Sequence, residues 1–152
     1  MKNIVVLVSG GGTNLQALID AEKAGNILGG KITCVISSNS SAYALERAKN
    51  NDISTRVIQR KDYSDSKSYS MAILNALDEE QADLVVLAGF MTILDECVTS
   101  KYAYKIINVH PALIPSFCGE GYYGLKVHEA ALAYGVKVSG ATIHFVNEEA
   151  DA

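Results

Sequence analysis

Short apolar runs alternate along the chain with segments whose apolar residues recur every three or four positions. Residues 4–8, 32–36, 55–58, 84–88, 106–109 and 138–146 are rich in Val, Ile and Leu and read as strands. Between them, Leu15, Leu18, Ile19 and Glu22 hold the spacing of an amphipathic helix with its charge at one edge. Tyr69, Ile73, Leu74 and Leu77 repeat that spacing within residues 64–79, and residues 42–49 and 127–134 are shorter helix candidates. Strand–helix–strand succession predicts right-handed βαβ units. Strands that are apolar throughout, rather than alternating, predict burial on both faces. The expected fold is therefore α/β: a Rossmann-like, doubly wound, mostly parallel sheet. Ligands of such sheets bind beyond the carboxyl ends of the strands, where the strand order reverses. That directs attention to the segments leaving Val8, Ile36, Ala88 and Val109.

Composition narrows the picture modestly. The 152 residues are 49% hydrophobic and 20% charged, which suits one folded domain over residues 1–152. A net charge of −4 speaks against a broad electropositive surface, so neither nucleic acid nor an anionic membrane is an expected partner. It leaves room for a small anion held by backbone amides. Cys34, Cys97 and Cys118 are odd in number and form no CxxC pair, so neither a disulfide framework nor a zinc cluster is expected, and a cytoplasmic location is. The run at 4–8 is too short to span a membrane, and glycines rather than a cleavage site follow it.

The chemistry concentrates in a few segments. Ser9-Gly10-Gly11-Gly12-Thr13-Asn14-Leu15 follows the first strand and opens a helix, where glycines allow close backbone approach and free N–H groups attract anions. Leu15 stands where a dinucleotide fingerprint needs a small residue, and Ser37-Ser38-Asn39 ends the second strand without an acidic residue for a ribose. NAD is thus disfavoured and a single phosphate remains; a tight turn capped by Thr13 or Asn14 is the alternative. Gly25, Gly30 and Lys31 match P-loop spacing, but Ile32 replaces the Ser or Thr and a helix precedes the segment, so a helix C-terminal turn is expected.

Asn108-Val109-His110-Pro111 is the strongest constellation. Alternation places Asn108 and His110 on one side of a strand at the mouth of the sheet, an amide donor beside an imidazole. Such a pair suits a carbonyl that becomes a tetrahedral oxyanion, although a histidine merely satisfied at a sheet edge fits as well. His128, in a helical pattern, and His144, in an alternating strand, are expected to be structural, and the three histidines lack metal-site spacing. The acidic run 147–151 could set a carboxylate opposite His110, which would raise the pKa of the imidazole. Residues 116–124, with three glycines and three aromatics, read as a loop able to cover a ligand. Residues 89–94 leave the fourth strand unusually apolar, either to wall a pocket for a flat ring or to fold back into the core.

Taken in order, residues 9–15, 87–94, 108–115 and 144–151 resemble the phosphoribosylglycinamide formyltransferases, folate-dependent enzymes of purine synthesis. The resemblance implies formyl transfer from 10-formyltetrahydrofolate to the amine of glycinamide ribonucleotide, with small molecules as the partners and no metal. It assigns catalysis to Asn108, His110 and Asp151 and the ribonucleotide phosphate to Gly12, Thr13 and Asn14. Met91, Thr92, Ile93 and Leu94, with Asn108, would border the folate. Many members carry Arg where this sequence has Thr92, and often another near residues 63–69, where Ser66 or Lys67 stands here. The family also continues beyond the catalytic carboxylate, so the sequence is expected to lack the C-terminal strands and helices. A phosphate-binding piece without catalysis and a formyl-tetrahydrofolate hydrolase are the competing readings.

Overall fold

Ile4 to Val8 pass through the interior almost without exposure, and the strand that contains them, β1 (Lys2–Val8), is the centre of the molecule. The computed structural model describes residues 1–149. Beside β1 lie β2 (Gly30–Ser37) and β4 (Leu84–Leu87), both parallel to it. β3 (Ser54–Val57) extends the sheet on one side and β5 (Ile106–His110) on the other, again in parallel. β6 (Thr142–Phe145) closes the described sheet as an antiparallel edge, giving the order β3-β2-β1-β4-β5-β6. The order reverses between β1 and β4. This is the doubly wound sheet that the apolar runs predict.

Strand alternation divides the core into two layers. Val5, Leu7, Cys34, Ile36, Val85, Leu87 and Ile106 face α3 (Ser66–Glu79) and α4 (Glu96–Lys101), which contribute Tyr69, Ile73, Leu77 and Val98. Ile4, Val6, Val8, Ile32, Val35 and Val86 face α1 (Thr13–Lys23) and α2 (Tyr43–Lys49), through Leu15, Ile19, Ala44 and Ala48. Helices on both faces explain why the strands carry no polar alternation. Burial pushes the Cys34 thiol up to about 11, helped by the nearby Glu80 carboxylate, so this cysteine is a core filler and not a nucleophile.

Two local expectations change. The last strand is not residues 138–146 but Thr142–Phe145, because β5 ends at His110 and the ladder therefore stops at the His110–Thr142 pair. Val138 imitates a strand residue by alternation, yet it pairs with no strand among the described residues and stands exposed. The six-residue α4 and a 3-10 turn at Arg60–Asp62 give no periodic signal because each is too short. The P-loop spacing is a false match: Ala24 ends α1, Gly25 turns at positive φ, and β2 begins at Gly30.

Candidate functional site

The chain segments leaving β1, β4 and β5 meet around one cavity of about 1000 Å³ at the carboxyl ends of the strands. It lies at the reversal of strand order, where an open α/β sheet offers its crevice. Its volume is at the upper end of ordinary ligand pockets, ~300–1,000 Å³. A smaller hollow of about 390 Å³, lined by Lys2, Asp83 and Lys105 among others, sits at the opposite end of the sheet and gathers none of these segments.

Ser9 links the first two segments. Its hydroxyl lies 2.6 Å from that of Ser38 and accepts the backbone N–H of Met91 at 3.0 Å. Gly10 accepts the backbone N–H of Ala44 at 3.1 Å, and Gly11 accepts Nε–H of Arg47 at 2.8 Å, so the glycine loop is pinned against α2. Gly12 is the N-cap of α1 at φ +78°, and no side chain caps the helix. The alternative in which Thr13 or Asn14 caps a tight turn is therefore not what the chain does. The first backbone N–H groups of an α-helix have no partner within the helix. Here they belong to a segment whose Thr13 and Asn14 line the cavity.

Both readings of residues 89–94 are half right. Met91 and Ile93 are 51% and 53% exposed, whereas Leu94 is 2% exposed in the core and Phe90 packs against it. Alternate residues thus anchor the segment and wall the cavity, and Met91, Thr92, Ile93 and Leu94 all line it.

Asn108 and His110 emerge on one face of β5, as alternation requires. His110 is only 3% exposed, and its Nε2–H donates to the carbonyl of Phe117 at 2.7 Å. The direction follows from the partner, since a carbonyl only accepts. Phe117 itself sits at φ +49°, uncommon for a bulky residue, in the 116–124 loop whose later residues line the cavity. Asp151, the expected partner of His110, lies outside the described residues.

His128 and His144, expected to be structural, stand beside the cavity. Both line the cavity, His128 from the exposed face of α5 (Leu125–Tyr134) and His144 from β6, where its Nε2 is 3.3 Å from Nδ2 of Asn108. Arg60 and Ser66 also line it, from the 3-10 turn and the start of α3. Among the described lining residues Arg60 is the one arginine or lysine. Its Nη1 donates to the carbonyl of Tyr63 at 2.9 Å, and its guanidinium lies 5.7 Å from the centroid of the Tyr69 ring. Its only trace in the sequence is a basic pair, Arg60-Lys61, directly after the third strand. Among the described residues, no group of three or more His, Cys, Asp and Glu is arranged to hold a metal. Among the described residues, no helix is long and apolar enough to cross a membrane.

The profile of the family described as formyl transferase matches residues 2–152. The phosphoribosylglycinamide formyltransferase of Haemophilus influenzae is 46% identical over 151 residues, which cover 99% of this chain and 68% of that protein. The Escherichia coli protein of the same name is 40% identical over 149 residues, covering 98% of this chain and 68% of its own length. Among solved structures, glycinamide ribonucleotide transformylase 1 from Symbiobacterium toebii superposes with a TM-score of 0.91 at 37% identity, covering 99% of this chain and 68% of that one.

Proposed function

This chain belongs to the formyl transferase family, on its phosphoribosylglycinamide branch, and from that premise we infer that its site moves a formyl group from 10-formyltetrahydrofolate to the amine of glycinamide ribonucleotide. One observation carries the reading. A helix start suited to a phosphate, an amide–imidazole pair and a partly exposed apolar wall line a single cavity of about 1000 Å³.

The ribonucleotide phosphate lies at the start of α1, where Gly12 lets the backbone approach and the amides of Thr13 and Asn14 meet the negative charge. The folate ring lies against Met91, Thr92, Ile93 and Leu94, close to Asn108. The amine attacks the formyl carbon, and negative charge builds on the formyl oxygen. Asn108 and protonated His110 donate to that oxygen. A formyl oxygen entering the cavity competes with the Phe117 carbonyl for the Nε2 proton of His110. Asp151 holds the imidazole charged and oriented. The proton lost by the attacking nitrogen passes to the folate nitrogen through His110 or water, and the carbon–nitrogen bond to the folate breaks. No step requires a metal.

Arg60 supplies the positive charge that Thr92 does not. At the rim of the apolar wall it meets the carboxylates of the folate tail.

The test is formyl transfer by the full-length protein with both substrates, run beside His110→Ala. Wild type should transform the amine, and His110→Ala should lose at least about 10²-fold in kcat. Formate released from the folate at the same rate without the amine would instead identify a hydrolase.

A further inference from the structure

β6 presents two side chains on the face that carries Asn108 and His110, and each engages the exit of β5. Thr142, opposite His110, donates from Oγ1 to the carbonyl of Ala112 at 2.7 Å and accepts the backbone N–H of Ile114 at 3.0 Å. That bond pair holds the turn after Pro111. His144 stands opposite Asn108, with Nε2 3.3 Å from Asn108 Nδ2 and Nδ1 3.1 Å from the carbonyl of Phe145.

The protonation pattern follows from the partners. A carbonyl only accepts, so Nδ1 of His144 carries a proton. In the Nδ1–H tautomer Nε2 carries the lone pair, which accepts from the Asn108 amide. This settles a question that packing leaves open, because the oxygen and nitrogen of a carboxamide have nearly the same size. Rotated by half a turn, Asn108 would offer an oxygen to the developing oxyanion and repel it. With one N–H held by His144, the second remains for the formyl oxygen.

We propose that His144 is a positioning residue for formyl transfer, fixing the orientation of the Asn108 carboxamide through the bond between their side chains on paired strands. The inference deepens the reading above and rests on it. His144 touches no reacting atom in this account; it acts through Asn108.

A double-mutant cycle in the full-length protein, with a nitrogen NMR measurement beside it, tests the proposal. His144→Phe, which removes the acceptor, should lower kcat by roughly 10- to 100-fold with both KM values changed less than about two-fold. His144→Gln, whose side-chain oxygen can accept the same N–H, should recover most of the loss. In an Asn108→Ala background the Phe substitution should cost less than about two-fold, because its route of action is gone. Losses that multiply across the cycle, or an equal loss in the Gln and Phe variants, would overturn the proposal. Should His144→Phe fail to fold, NMR of the intact wild type decides: the Nδ1–H tautomer of His144 is expected, and the Nε2–H tautomer contradicts it. If Asn108→Ala itself turns over normally, the formyl-transfer role of Asn108 fails first. If Asn108→Ala is crippled while His144→Phe is not, only the present inference falls.

Discussion

At Gly12 the backbone sits at φ +78°, and a Cβ would lie 2.6 Å from Cβ and 2.8 Å from Cα of Ala44 on α2. Gly12→Ala therefore has to open the α1–α2 contact as well as bear the left-handed strain, and should destabilise the fold by more than about 1 kcal/mol. A lower thermal midpoint together with a raised KM for the ribonucleotide would bear this out. Arg60 makes a different prediction, since it stands at the rim and not at the reacting carbon. Arg60→Ala should raise KM for the formyl-folate several-fold and leave kcat near wild type, measured by steady-state kinetics. Single residues also differ in how plainly the sequence announces them. Asn108 and His110 are legible because strand alternation alone puts them on one face. His144 is not: its link to Asn108 depends on an antiparallel register that no local pattern encodes. Phe117 is invisible for a stronger reason, because it acts through a backbone carbonyl that any residue possesses.

The buried faces of α3 and α4 show how elements support the site from behind. α3 buries Tyr69, Ile73 and Leu77 against β1, β2 and β4, and the Tyr69 hydroxyl donates to the carbonyl of Ile58 at 2.9 Å. Its full turns made it readable from spacing. Ile73→Ala should cost about 2–5 kcal/mol, read by denaturant unfolding. α4 is tied to α3 by Lys101 and the Tyr102 hydroxyl, both on Asp78. The Lys101 bond, with that of Tyr102, holds the Asp78 carboxyl below the usual carboxylate range. Burial and Asp78 push the Tyr102 phenol up to about 12. A folded-state carboxyl pKa that is lowered contributes stability above the ordinary carboxylate range, lost as pH falls through the lowered value. Asp78→Asn should therefore melt earlier than wild type at neutral pH, and the gap should close under acidic conditions. Because Asp78 is partly solvated, the gap should be small. In sequence α4 was hidden by its length: six residues bury only Val98 and Thr99.

For the whole molecule, the order β3-β2-β1-β4-β5-β6 places the reversal between β1 and β4. Ser9 and Met91 bridge that gap, and β5 delivers Asn108 and His110 to the same rim. The apolar runs made the sheet class readable, because strands buried on both faces cannot carry polar alternation. They could not show how the end of β5 limits β6, nor that Arg60 reaches the cavity from a 3-10 turn. The site proposed for formyl transfer thus draws on separate strand exits, and this chain covers 68% of the length of the bacterial relatives it matches. The central claim is that a donor at the end of β5 stabilises the oxyanion of the formyl group. Its most direct test is kcat for formyl transfer by Asn108→Ala in the full-length protein. The account predicts a fall of about 10²–10³-fold at unchanged substrate KM. Turnover within a few-fold of wild type would contradict it.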